Sequence, residues 1–368
     1  MKNVLKVYDA ELTIKGPVYI GNGRNIEKKE YVFSQKQNKI LVMNQMKLTQ
    51  LLKAKNLEED YIDFMLSDSR DDLGTWLKKK SVEEDEYIKC IRYSMSCDSV
   101  DIDTHSKLMI NEFVKDAYEM PYIPGSSIKG MLRTVLLTND IMSNEDKYRK
   151  YKFPIENDKV ISKLCLKRNI ADIESDFYRT LKRPKTKDTD AVNDIMSGVI
   201  ISDSEPLSLD DLSICQRIEL HIDGGEKKLN VLRECIKPET KVKFKITIDS
   251  TVCKFSKADI EDAVAEFTNM YFDVFLQKFK LNKPDKKTVW LGGGVGFISK
   301  TEIYPLFGEK EGITNTVNIF RKTKVPAQHK HNQDIRKGVS PHICKVTYYN
   351  KQRYQMGMAE LELSEIEV

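Results

Sequence analysis

Apolar and polar residues alternate through Lys241–Asp249, where Val242, Phe244, Ile246 and Ile248 interleave with Lys241, Lys243, Lys245 and Thr247. Successive strand side chains point to opposite faces, so this pattern predicts a half-buried strand with a basic outer face. Ile214, Ile218, Leu220 and Ile222 likewise share one face of a predicted strand. Near the N-terminus, Leu5–Ile14 reads as extended, followed by a Gly16-Pro17 turn, a short strand at 18–20 and a second turn at Gly21, Asn22 and Gly23. Residues 31–33 and 40–43 flank Lys36-Gln37-Asn38-Lys39 and predict a hairpin. Two closing strands are predicted at Ile343–Tyr349 and at 354–363, across a turn at 350–353.

Elsewhere the period lengthens. Asn44 is a plausible N-cap, and Leu48, Leu51, Leu52, Tyr61, Phe64 and Met65 recur at helical spacing as far as about Lys80. We read 44–106 as an insertion whose mixed-charge clusters form exposed faces. Ile260, Val264, Phe267, Tyr271, Val274 and Phe275 predict an amphipathic helix over 257–280, closed by Pro284. Antiparallel strands with a helix packed on one face indicate an α+β, ferredoxin-like architecture.

Composition narrows the class. The 368 residues carry 40% apolar and 32% charged side chains, with 14 Phe, 16 Tyr and 2 Trp. That is too much aromatic content for a disordered chain. No uncharged apolar run approaches the ~20 residues of a membrane-spanning helix. No signal peptide is visible, and the seven cysteines form no C-x-x-C pair, so they read as reduced thiols of a cytoplasmic protein. The net charge of +4 conceals a segregated distribution. Residues 179–187 hold five basic side chains and no acid, and 321–353 hold nine against Asp334 alone. Such segments point to a polyanion-binding face, or more simply to solvated loops.

Three constellations carry possible chemistry. In P-Y-I-P-G-S-S-I-K-G-M-L-R-T, residues 121–134, Pro124 and Gly125 force a loop. Ser126 or Ser127 can cap a helix starting near Ile128, with Lys129 and Arg133 one turn apart. A helix N-terminus of this kind suits a phosphate, although an ordinary capped helix with solvated basic residues explains it equally well. In L-G-G-G-V-G-F-I-S-K-T, residues 291–301, Gly292, Gly293, Gly294 and Gly296 are framed by Trp290 and Phe297. The pattern is neither a Walker A loop nor G-x-G-x-x-G after a strand. We read it as a backbone-lined phosphate track with Lys300 and Thr301 at its edge. Third, His329, His331, His342 and Cys344 cluster in the basic C-terminal segment, but their spacing matches no standard zinc pattern, and no metal or other cofactor is assigned.

The 121–134 loop and helix together with the 292–297 glycine loop resemble the RAMP superfamily of CRISPR-associated proteins, whose ferredoxin-type domains contact guide RNA through glycine-rich loops. The segment 12–23, L-T-I-K-G-P-V-Y-I-G-N-G, is similar to the family's first strand and turn. Residues 111–116, 191–207, 236–248 and 355–361 fit the type III-A (Csm) subunit that caps the crRNA 3′ end. The resemblance implies two ferredoxin-like RAMP domains, 1–205 with a helical insertion at about 44–106, and 206–368. It implies a non-catalytic, crRNA-binding role in complex assembly and crRNA maturation. Partners would be crRNA, neighbouring Csm backbone subunits, target RNA and host nucleases that trim the guide. RNA contacts are expected from Gly21, Asn22, Gly23, Ser126, Ser127, Lys129, Arg133, Gly292, Gly293, Gly294, Gly296 and Lys300. Lys182, Arg183, Lys185 and Lys187 would form a mobile loop where RAMP subunits often place a guide-wedging hairpin.

The family's catalytic backbone subunit cuts target RNA with an aspartate ahead of the P-Y-I-P-G-S-S strand. Here that neighbourhood reads Ile110-Asn111-Glu112, which implies no intrinsic ribonuclease activity. Asp101 and Asp103 keep a metal-dependent endoribonuclease as the alternative. A histidine-dependent repeat-cleaving nuclease is disfavoured because no histidine precedes His105.

Overall fold

A computed structural model describes residues 4–98, 100, 109–156 and 161–366. Its strands are β1 (Leu5–Ile14), β2 (Gly21–Ile26), β3 (Tyr31–Ser34), β4 (Lys39–Met43), β5 (Ile91–Ser96), β6 (Met109–Phe113) and β7 (Val199–Ile201). They continue with β8 (Leu212–His221), β9 (Glu226–Ile236), β10 (Lys241–Asp249), β11 (Thr288–Trp290), β12 (Ile343–Tyr349), β13 (Gln352–Gln355) and β14 (Met358–Glu365). One sheet runs β11-β14-β1-β10-β7. The other runs β2-β6-β9-β8-β5-β4-β3, with β12 also on β8 and β13 on β12. Pairing is antiparallel except at β5–β8 and β6–β9. The architecture is mixed α+β, and both sheets draw strands from either side of residue 205.

The alternating segment Lys241–Asp249 forms β10 of the first sheet, whereas Ile214, Ile218 and Leu220 lie on β8 of the second. Tyr8, Ala10, Leu12 and Ile14 of β1 are buried beside Val242, Phe244, Ile246 and Ile248 of β10. Each such aliphatic side chain contributes about 1.5–3 kcal/mol by leaving water. The helices Gly125–Ser143, Lys257–Val274 and Ile303–Lys322 pack against one another, the first touching β7 and the second β11. Phe267, Tyr271 and Trp290 form an aromatic cluster at that junction. β4 explains why K-I-L-V-M lacks alternation: Ile40 and Val42 face the main core, while Leu41 and Met43 face a second core. That second core joins Leu48, Leu52, Tyr61, Phe64 and Trp76.

Several boundaries differ from the sequence reading. Asn44 does cap a helix, its side chain accepting from Lys47 N, but the helical stretch is three helices, Gln45–Ala54, Glu58–Leu66 and Leu73–Lys79. The 44–106 segment also supplies β5, which pairs with β4 and β8. Residues 18–20 contribute only a Val18–Ile236 bridge, whereas Gly21, Asn22 and Gly23 belong to β2 rather than to a turn. The long helix stops at Val274, well before Pro284, because Phe275 leaves helical geometry, and a 3-10 turn ends on left-handed Lys280. The predicted strand at 354–363 breaks at Gly357 (φ 77°), so β13 stays on β12 while β14 crosses to the first sheet beside β1.

Candidate nucleic-acid interface

Three chain segments meet around Tyr19, a residue no motif singled out. Gly293 N donates to the Tyr19 carbonyl at 2.7 Å, Leu291 N to Gly357 O at 3.0 Å, and Gly357 N to Pro17 O at 2.8 Å. Gly292 has φ 84°, and a Cβ there would lie 2.2 Å from the Tyr19 carbonyl oxygen. The glycine loop therefore spends part of its freedom on seating against its own chain. A Cβ on Gly21 would strike the Tyr19 hydroxyl, so the two glycine motifs, far apart in sequence, share one neighbour.

Beneath this loop lies a cationic sheet face. Arg217 and Glu219 share one face of β8, Arg217 Nη2 donating to Glu219 Oε1 at 3.1 Å. Lys345 on β12 stands opposite Glu219, and Arg233 on β9 stands opposite Cys215. The Arg233 guanidinium sits 4.9 Å from the Tyr19 ring centre, and its Nη1 donates to Gly293 O at 3.4 Å. Burial, then Arg217, Arg233 and Lys300, push the Lys345 ammonium down to about 8. Burial and Arg233 also lower Lys300. The Nε atoms of both Arg217 and Arg233 are buried without a partner among the described residues. Buried donors on like-charged groups are costly unless an anion arrives to accept from them. A cavity of about 180 Å³ opens beside Arg217, lined also by Lys345, Val295, Gly296, Phe297 and His331.

The other sequence-assigned residues occupy different settings. Gly21, Asn22 and Gly23 are exposed on β2. Asn22 Nδ2 donates to Glu112 Oε2 at 3.0 Å. Burial would raise the Glu112 carboxyl, but hydrogen bonds from Asn22 and Lys115 and the Arg24 charge hold it below its usual range. The 121–134 helix begins at Gly125, not near Ile128, so neither Ser126 nor Ser127 caps it. Asp203 does that work, its Oδ1 accepting from Gly125 N at 2.8 Å. A carboxylate thus occupies the helix N-terminus that we assigned to phosphate. Lys129 Nζ donates to Val199 O at 2.8 Å, and Arg133 pairs with Asp194 at 2.8 Å while stacking over Tyr178. Both are engaged in holding the helix to its surroundings.

Lys182, Arg183, Lys185 and Lys187 are exposed. The loop is tied down by buried Asn193, which accepts from Arg183 N at 2.7 Å and donates to Thr186 Oγ1 and Lys187 O. The basic face of β10 is neutralised from the neighbouring strand: Lys241 pairs with Glu11 at 2.8 Å and Lys245 with Asp9 at 3.5 Å. Of the histidine and cysteine cluster, Cys344 turns away, paired with Leu220 on the core side of the sheet. Asp101, Asp103 and His105 lie outside the described residues.

Fold and site together define a mixed α+β protein with a glycine-lined, cation-backed surface. The RAMP superfamily model matches residues 11–299. Over 393 residues the chain is 25% identical to "CRISPR system Cms protein Csm5" of Mycobacterium tuberculosis (strain CDC 1551 / Oshkosh), with all of both chains covered. It is 26% identical to the Streptococcus thermophilus protein of the same name over 395 residues, again with full coverage of both. A chain in the cryo-EM structure of a Csm–crRNA–target RNA ternary complex superposes with TM-score 0.63 at 18% identity, covering 96% of this chain and all of that one. The crystal structure of T. onnurineus Csm5 gives TM-score 0.62 at 16% identity, covering 95% and 99%. The chain belongs to the RAMP superfamily. No helix among the described residues is long and apolar enough to cross a membrane.

Sequence reasoning missed Tyr19, Arg217 and Arg233, and held Lys345 only as one of the nine basic residues of 321–353. A signal existed for Arg217 and Glu219, which occupy the odd positions of the strand whose even positions read as apolar. Nothing in the sequence told that β8, β9 and β12 lie side by side.

Proposed function

We propose that this chain is the Csm5-type subunit of a type III-A CRISPR effector complex, holding the 3′ portion of crRNA without cutting it. The observation that carries the reading is the cationic face of Arg217, Arg233 and Lys345 under the glycine loop, with two buried guanidinium Nε atoms that have no acceptor among the described residues. Full-length similarity to Csm5 proteins supports the same assignment. Phosphodiester oxygens accept from the Arg217 and Arg233 guanidinium groups, Lys345 and Lys300 supply further charge, and the exposed Lys182–Lys187 stretch extends the track. The chain would be organised as two ferredoxin-like halves, contact the neighbouring Csm backbone subunit and target RNA, and present the guide end to trimming nucleases.

The non-catalytic assignment is supported by Glu112. It is the carboxylate of the Ile110-Asn111-Glu112 neighbourhood, where the resemblance leads us to expect the cutting subunit's aspartate, and it is 3% exposed and held by Asn22 and Lys115. A metal-dependent endoribonuclease needs a carboxylate free to hold an ion beside the scissile phosphate. The test is binding and cleavage of labelled crRNA by the purified chain, with Mg²⁺ or EDTA, and by Arg217→Met and Arg233→Met variants. Retention should weaken about tenfold per arginine, as for one charge-assisted contact. Unchanged retention in both variants overturns the interface, and specific Mg²⁺-dependent cutting overturns the non-catalytic role.

A further inference from the structure

Four of the chain's five histidines converge at one end of β8 and β12, with His329 and His331 on the wall of the cavity that Arg217 and Lys345 also line. His342 and His331 rings are 5.3 Å apart, His331 and His329 6.0 Å, and His221 and His342 5.8 Å. Between His331 and His342 lies Asp334, which is fully buried. His331 Nδ1 is 3.0 Å from Asp334 Oδ2, and His342 Nδ1 is 2.5 Å from Oδ1. The ligand atoms of these three residues all lie within 4.8 Å of one another.

We propose that His331, Asp334 and His342 form a zinc site that fastens the basic 326–342 segment across the end of the β8–β12 pair. Two imidazole nitrogens and a carboxylate are a donor set that zinc takes, with a fourth position left for water or another side chain. A tetrahedral zinc shell spaces its ligand atoms by roughly 3.3 Å, so on loading the His331–Asp334 pair opens by about 0.3 Å and the His342–Asp334 pair by about 0.8 Å. The second shell is also built. Ser340 Oγ donates to Asp334 Oδ2 at 2.7 Å, and Tyr304 OH donates to the Ser340 carbonyl at 2.6 Å. Supports of this kind orient a ligating carboxylate. Of the three, His331 reaches the cavity wall, and His329 on the same wall is exposed.

Sequence spacing argued against a metal because it offered H-x-H and H-x-C. The structure replaces Cys344 and His329 with Asp334, and the set then reads H-x-x-D with a distant histidine. The three ligands come from a 3-10 turn at His331–Gln333, the turn Asp334–Lys337 and the residue preceding β12. A cross-link between such short elements is where a metal adds most to local order.

The experiment uses the full chain, purified without chelator or histidine tag. Elemental analysis should find about one zinc per chain, and the zinc first shell by X-ray absorption should be nitrogen and oxygen only. Asp334→Asn and His331→Gln should lose the metal, and EDTA should lower the melting temperature of the parent while leaving both variants unmoved. If a variant fails to fold, cobalt titration of the EDTA-treated parent decides, with a one-to-one tetrahedral spectrum expected. A parent that binds neither zinc nor cobalt, a sulfur-containing first shell, or variants that keep full zinc would each overturn the site. None of these readouts depends on RNA.

Discussion

Lys345 gives the sharpest test of the cationic face, because its charge is costly to the fold and useful to the ligand. Its ammonium is lowered from 10.5 to about 8, first by burial and then by Arg217, Arg233 and Lys300, with only Glu219 opposing. A drop of that size corresponds to about 3 kcal/mol of native-state penalty, and residual solvent screening reduces this to about 1–3 kcal/mol. The sign follows from proton binding. Below pH 8 the lysine is charged in both states, and the folded protein bears the whole penalty. Between about 8 and 10.5 the unfolded chain holds more protons, so stability from this group rises with pH. Lys345→Met should therefore stabilise the protein at pH 7 by about 1–3 kcal/mol, with the advantage fading to nothing by about pH 10.5. Urea unfolding of parent and variant at pH 7 and at higher pH measures the difference. The same variant should bind RNA about tenfold more weakly at pH 7, with a salt slope shallower by about 0.7. An RNA phosphate beside Lys345 restores its proton, so binding by the parent between pH 8 and 9 should take up protons. A variant that is destabilised at pH 7, or that binds RNA as the parent does, would refute the argument.

Gly292→Ala places a methyl group 2.2 Å from the Tyr19 carbonyl oxygen at a backbone φ of 84°, and should cost about 2–4 kcal/mol, read as a lowered melting temperature. Gly130→Ala, in open space on an exposed helix surface, is the control and should leave stability unchanged or slightly raised. Glu234→Gln should cost about 3 kcal/mol in urea unfolding. The Glu234 carboxylate is wholly buried and accepts from Lys115 at 2.6 Å, Tyr93 at 2.7 Å and Phe113 N at 2.8 Å. Removing its charge leaves Lys115 with Glu112 at 3.3 Å as its anionic partner among the described residues, beside the neutral Tyr93 hydroxyl at 3.2 Å.

What the sequence determined by itself was local. Period two placed β10, a polar turn between apolar runs marked the β3–β4 hairpin, and Asn44 marked a helix start, because alternation, turns and capping depend on neighbours a few residues away. Glycine spacing at 292–296 also signalled a close backbone approach, and the combination of motifs identified the superfamily. Tertiary structure decided what each motif touches. The glycine loop seats on Tyr19, and the helix N-terminus is filled by Asp203 from 78 residues away. Lys241 and Lys245 of β10 are paired with acids of β1, a partner chosen only when the sheet closes. Arg217, Arg233 and Lys345 become one cationic face because three strands of separate origin lie side by side, and His331, Asp334 and His342 meet for the same reason. Charge and ligation act through space at a few ångströms, and sequence separation does not report that distance.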